Sequence, residues 1–131
     1  MATFLCFMAD YPNPGTFSYS IAGTNTLTDV TAKPTALLHI SVAQNGGSAG
    51  FLQIYNNGSA NAAAGAGTPD FAIAVPSGTQ GAGTPATRDI NYGPFGRELT
   101  KGLSYLWAAG PTGTVAHGVN ATVDITYTRR I

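Results

Sequence analysis

The sequence predicts an all-β fold, an antiparallel sandwich or barrel of eight or nine short strands with little or no helix. Three observations carry that expectation. Short runs rich in Val, Ile, Thr, Phe and Tyr recur along the chain, and these residue types suit a pleated, half-buried surface. Between the runs stand 17 Gly and 8 Pro, which interrupt regular structure. Within the runs apolar residues alternate with a period of two, and no window sustains the three-and-four spacing of an amphipathic helix. At 131 residues, one domain spanning 1–131 is expected.

The first apolar run covers residues 4–9, with Phe4, Leu5, Phe7 and Met8 around Cys6. It is too short to span a membrane and has no basic residues ahead of it, as a secretory leader has, so it is expected to be a strand of a protein made in a reducing cytoplasm. Cys6 is the only cysteine, which excludes an internal disulfide and leaves it as a small buried hydrophobe. Without a leader, the glycosylation-type triplets at Asn57 and Asn120 read as chance matches.

The remaining strands follow by parity. Phe17, Tyr19 and Ile21 alternate with Ser18, Ser20 and Ala22. Leu38, Ile40 and Val42 share one face, with Leu37, His39 and Ser41 on the other. Leu52 and Ile54 oppose Phe51, Gln53 and Tyr55, and Phe71, Ile73 and Val75 alternate with alanines. Leu103, Tyr105 and Trp107 oppose Ser104, Leu106 and Ala108, and Val123, Ile125 and Tyr127 oppose Asp124, Thr126 and Thr128. Residues 26–31 and 87–91 are weaker candidates. The Ala-rich stretch 60–66 has the composition of a helical turn, but the glycines around it favour a loop.

Two long connections, 56–69 and 76–86, flank the strand that ends at Val75 and carry a near repeat, Gly65-Ala66-Gly67-Thr68-Pro69 against Gly81-Ala82-Gly83-Thr84-Pro85. Because one strand separates them, they should leave opposite ends of a sheet, where each is placed to meet a neighbour.

Charge is the least ordinary feature. Six basic and six acidic residues make 9% of the chain and cancel to a net charge of zero, against about 25% in an average soluble domain. So sparse a charge protects a free domain poorly against self-association, and the simplest accommodation is that neighbours cover much of the surface. A surface made polar by Ser, Thr, Asn and Gln is the alternative. Zero net charge also argues against nucleic acid as the principal partner. Arg129 and Arg130 form a small basic end, read as a solvated tail or an ion-pairing contact in an assembly.

The residues show no converging chemistry. His39 falls in a strand and His117 in a Gly-containing loop, and with one cysteine there is no zinc spacing. Asp10, Asp29, Asp70, Asp89, Glu98 and Asp124 are scattered singly, without calcium-loop clustering. There is no Gly-x-Ser-x-Gly elbow, and Gly81-Ala82-Gly83 lacks the rest of a dinucleotide loop. No catalysis, metal or cofactor is therefore expected. Tyr55, Tyr92, Phe95, Tyr105, Trp107 and Tyr127 suit a sugar-binding face as well as a core, though parity with Leu103 favours burial of Tyr105 and Trp107.

From residue 35 to 128 the chain resembles the small β-sandwich proteins of tailed-phage virions that decorate or cement the capsid. The likeness rests on Phe51-Leu52-Gln53-Ile54-Tyr55-Asn56, Thr68-Pro69-Asp70, Val75-Pro76, Gly93-Pro94-Phe95-Gly96-Arg97, Thr100-Lys101-Gly102-Leu103-Ser104-Tyr105 and Val123-Asp124-Ile125-Thr126-Tyr127. The resemblance implies a jelly-roll-like sandwich that forms homotrimers on the virion surface and clamps the major capsid protein, without cofactor, catalysis or membrane. Residues 1–30 lie outside the likeness and are either an additional strand pair or an arm, with Phe4, Leu5, Phe7 and Met8 as its apolar anchors. The competing reading is a carbohydrate- or receptor-binding module of a phage tail or fibre.

Overall fold

A computed structural model describes residues 14–21, 27–57, 68–78 and 85–129, with side chains for 27–57, 68–78 and 85–128. Nine strands are formed by the described residues: β1 (Pro14–Ile21), β2 (Thr28–Thr31), β3 (Thr35–Gln44), β4 (Gly50–Tyr55), β5 (Phe71–Val75), β6 (Ala86–Asn91), β7 (Arg97–Leu99), β8 (Leu103–Ala108) and β9 (Ala121–Arg129). There is no helix among the described residues. The expected strand at 4–9, Cys6 and the Ala-rich stretch 60–66 lie outside them.

The strands form two antiparallel sheets. One has the order β1-β9-β3-β6, with β7 also paired to β3, and the other β2-β8-β4-β5. β6 and β7 are two halves of one edge strand, since β6 pairs with His39 to Gln44 of β3 and β7 with Thr35 to Leu37. Counted that way there are eight strands, four to a layer; as paired, the first sheet has five strands and the second four. Every connection crosses between sheets except β4 to β5 and the break between β6 and β7. That winding is the jelly roll, two interlocked Greek keys.

The topology sorts the connections to two ends of the sandwich. Those from β3 to β4, β5 to β6 and β8 to β9 gather at one end, and those from β2 to β3, β4 to β5 and β7 to β8 at the other. The two long connections accordingly leave opposite ends of β5, as expected, although the near repeat within them lies mostly outside the described residues.

The core lies between the sheets. Ile40, Val42, Val123 and Ile125 from one sheet meet Leu52, Ile54, Leu103, Tyr105 and Trp107 from the other. Parity places nearly all of these correctly, but not Leu37 and Leu38. The register of β3 against β9 steps from Leu37 opposite Tyr127 directly to His39 opposite Thr126, leaving Leu38 as the extra residue of a bulge. The bulge reverses the alternation, so Leu37 is fully buried while Leu38 is only partly buried.

β8 is buried along its whole length. Its outward residues Leu106 and Ala108 pack with Tyr55 and Leu27 in a second, smaller cluster behind the four-stranded sheet. β8 is therefore covered on both faces, while Asp29 of β2 and Ala74 of β5 stay exposed at the margins of the sheet.

Trp107 packs flat against the backbone at Gly50, where an added Cβ would overlap Cζ2 and Cη2 of the indole. The indole Nε1 donates to the carbonyl of Val119 at 3.0 Å, which fixes the ring in this position. Gly50→Ala should therefore lower stability by about 1–3 kcal/mol, the usual cost of forcing extra volume into a packed core. Urea titration should read it as a lower midpoint with an unchanged slope, and an unchanged midpoint would show that the ring has room to move.

Candidate functional site

At the end of the sandwich where β3 stops, one carboxamide ties two connections together and a third joins them through His117. Gln44, 2% exposed, donates from Nε2 to the carbonyls of Ser48 at 2.9 Å and Pro76 at 2.6 Å. Its Oε1 accepts the backbone N–H of Gly46 at 3.0 Å. Gly46 in turn accepts the N–H of Gly78 at 2.8 Å. His117, from the connection between β8 and β9, stacks on Trp107 with ring centroids 5.1 Å apart. Its Nε2 donates to the Ser48 carbonyl at 2.9 Å, while Nδ1 is buried with no hydrogen-bond partner among the described residues. His117 is thus a packing residue of this end.

The opposite end has a similar clamp. Asn56 donates from its backbone N–H to Asp70 Oδ2 at 2.6 Å and from Nδ2 to Thr100 Oγ1 at 3.2 Å, and its Oδ1 accepts the Lys101 N–H at 2.8 Å. Ser104 Oγ donates to the Asn57 carbonyl at 2.5 Å. Both feet of the β4–β5 connection are fixed by these bonds and by the Asp70 N–H donating to the Ile54 carbonyl.

Behind the four-stranded sheet, Gln53 is fully buried and donates from Nε2 to the carbonyls of Gly110 at 3.0 Å and Gly113 at 2.9 Å. The Tyr55 hydroxyl donates to Gln53 Oε1. The loop so held is closed at its base by the Ala109 N–H donating to the Val115 carbonyl, and it carries Val115 at 71% exposure.

At the side of the sandwich, residues Tyr92 to Gly96 are inserted between β6 and β7, opposite the bulged Leu38. The Tyr92 N–H donates to the Leu38 carbonyl. Gly96 has φ +73°, and a Cβ there would meet the Leu37 carbonyl at 2.8 Å, so only glycine returns the chain to β7. The insertion presents Phe95 at 83% exposure. Beside it the Arg97 guanidinium lies 3.7 Å over the Phe71 ring, and Phe71 meets Tyr92 edge-on. Burial pushes the Tyr92 phenol above its ordinary value of 10.0, with the charge and hydrogen bonding of Arg97 pulling the other way.

Where its side chains are described, the outer face of the five-stranded sheet is made mostly of small and polar side chains. Three rows cross it in register: Asn91, His39 and Thr126; Asp89, Ser41 and Asp124; Thr87, Ala43 and Thr122. No Lys or Arg stands among them. A shallow, open depression at one end of this face is lined by Ala43, Gln44, Asn45, Pro85, Asn120 and Thr122. Asp29, Asp70 and Glu98 lie on other elements, and among the described residues no group of three or more His, Cys, Asp or Glu comes together. No helix among the described residues is long and apolar enough to cross a membrane.

Of the residues singled out from the sequence, Phe4, Leu5, Phe7, Met8 and Arg130 lie outside the described residues. Arg129 ends β9 opposite Thr35, its side chain likewise outside them. Four of the six aromatics weighed for a sugar-binding face, Tyr55, Tyr105, Trp107 and Tyr127, are buried. Only Tyr92 and Phe95 reach the surface. Sequence reading missed Gln44 and Gln53, the amides that hold the loops. The signal for Gln44 was its position in step with Ile40 and Val42, where a polar residue on the core face needs an explanation.

No protein-family model matches the chain, and no curated protein matches it significantly. Among solved structures, the coat protein dimer of Tobacco streak virus is similar over 91% of this chain and 86% of that one, at 14% identity and a TM-score of 0.39. The likeness is distant in sequence and in backbone.

Two outcomes follow. Gln53→Leu, which leaves the Gly110 and Gly113 carbonyls without this donor, should cost about 1–3 kcal/mol and raise hydrogen exchange in 109–115 more than elsewhere. Tyr92 is neutral in the fold beyond the pH at which an unfolded tyrosine ionises, so its contribution is complete below about pH 10 and is lost as pH rises through its raised value. Tyr92→Phe should therefore lose stability less steeply than wild type on alkaline titration. Parallel curves would show that the phenol titrates alike in both states.

Proposed function

We propose that the chain is a structural protein of a virion, a decoration or cement protein that sits on a tailed-phage head and strengthens contacts between capsomers. The observation that carries this reading is the outer face of the five-stranded sheet. Ser, Thr and Ala lose little rotamer freedom on burial, so ordering this face costs little, and the charges it would bring into an interface are the carboxylates of Asp89 and Asp124, which a cationic side chain of a partner can pair. The sparse charge of the whole chain, six basic and six acidic residues in 131, supports the same conclusion. Jelly rolls serve in capsids and in lectins alike, so the fold agrees with the reading without deciding it.

In this role the chain contacts the major capsid protein and copies of itself, as a homotrimer. It is made in the host cytoplasm and resides on the capsid surface. It needs no cofactor and performs no catalysis, and neither nucleic acid nor membrane is its partner. Arg129 and Arg130 supply a basic end for ion pairing, and the apolar residues Phe4, Leu5, Phe7 and Met8 supply anchors.

Mass spectrometry of purified phage particles should find the chain in stoichiometric amount, and light scattering of the isolated protein should give a trimer. Thr126→Arg, a charge set in the middle of the outer face, should reduce its occupancy on the particle while leaving thermal unfolding unchanged. Particles without the chain would remove the reading, and full occupancy by the variant would remove the face from it.

A further inference from the structure

The chain contains two Asn-Gly pairs, Asn45-Gly46 and Asn57-Gly58. This dipeptide is the one most prone to spontaneous modification, because glycine offers no side chain to obstruct attack by its own backbone nitrogen. In that reaction the glycine nitrogen forms a bond to Cγ of the asparagine. The Cγ–Nδ2 bond breaks, and the displaced nitrogen leaves as ammonia with the proton the glycine N–H gives up. Water then opens the cyclic imide at one of its two carbonyls, giving an aspartate or an isoaspartate.

We propose that Asn45-Gly46 is a latent self-modification site that the folded chain holds unreactive through Gln44. Attack requires two things of Gly46: its nitrogen must give up the N–H, and its peptide must turn toward the Asn45 side chain. Both are opposed. The N–H donates to Gln44 Oε1 at 3.0 Å in a buried bond, and the carbonyl of the same residue accepts the Gly78 N–H at 2.8 Å. Gln44 is itself immobilised by the bonds from Nε2 to Ser48 and Pro76.

Packing adds to the restraint. A Cβ built on Gly46 would lie 2.8 Å from the His117 ring and 3.1 Å from Val119, so Gly46 is closely packed and has little room to rotate. Asn45 is exposed, so water reaches its side chain and the protection lies in the backbone alone. Conversion would add one negative charge at this end of a chain whose net charge is zero. In the assembly role proposed above, the guard would keep this end of the chain free of an added charge.

The test compares intact protein with the same protein in concentrated urea at mildly alkaline pH, with peptide mapping to count aspartate and isoaspartate at Asn45. Asn57-Gly58 in the urea sample serves as the internal clock. In the native protein conversion at Asn45 should be at least about tenfold slower than in urea, the factor expected when a buried hydrogen-bond network must open first. Gln44→Met, similar in volume but without the acceptor, should bring the native rate close to the urea rate. Should that variant not fold, amide exchange of Gly46 in the wild-type protein decides, with strong protection expected. Native conversion as fast as in urea, a freely exchanging Gly46 amide, or a folded Gln44→Met with the wild-type rate would each overturn the proposal.

Discussion

A carboxamide taken out of water must have its hydrogen bonds replaced, and in this protein that requirement joins loops to strands. Gln44 and Gln53 are almost wholly buried, one at the end of β3 and one on the outward side of β4. Neither amide nitrogen is satisfied by its own sheet. Each reaches the carbonyls of chain far away in sequence, Gln44 at Pro76 and Gln53 at Gly110 and Gly113. Connections that a jelly roll would leave free to vary are therefore fastened to the most rigid part of the molecule. The central position of β8 has the same consequence, because a strand buried on both faces needs a cover, and the pinned loop from Ala109 to Val115 lies over part of it.

How much of this was legible in the sequence depends on whether the deciding interaction was local. Alternation within β4, β5, β8 and β9 follows from the pleat, so their core residues could be read directly. β6 was only a weak candidate, since four of its six residues, Thr87, Arg88, Asp89 and Asn91, are exposed and only Ala86 and Ile90 are half-buried. Leu37 was read on the wrong face because the bulge at Leu38 depends on the insertion Tyr92 to Gly96, more than fifty positions away in the numbering. β7 escaped notice for the same reason, being three residues long and a strand only because β3 runs beside it. The loop anchors were invisible because a glutamine in a strand carries no mark of the carbonyl it will meet.

The candidate surface was legible only in outline. Composition pointed to a molecule short of charge, but not to where the charges would stand. In the fold Lys33 and Lys101 are exposed in end connections, and Arg88 and Arg97 stand on the edge strand, leaving the rows across β6, β3 and β9 without a Lys or Arg. Burial also decided among the aromatics. Tyr105 and Trp107 serve the core, as their parity with Leu103 implies, and Tyr55 serves the second cluster, so little of the aromatic surface remains for stacking sugars.

The edges bear on how such a molecule would join its neighbours. Sheet edges invite strand addition, and proteins block them with charge, irregularity or cover. Arg88 pairs in register with Val42, which turns its side chain toward the opening of the sandwich instead of away from it. The insertion between β6 and β7 breaks the same edge midway, and Arg97 lies over Phe71 at the start of β5, the edge of the facing sheet. A second strand laid along β6 would have to bury a charge and accommodate a five-residue protrusion. Growth through this edge is thus opposed by Arg88 and by the protrusion, whereas the face beside it carries neither, its charges being the carboxylates of Asp89 and Asp124. Whether contacts through that face close is then set by the rotation between copies, a rotation that closes giving a ring and one that does not an open filament.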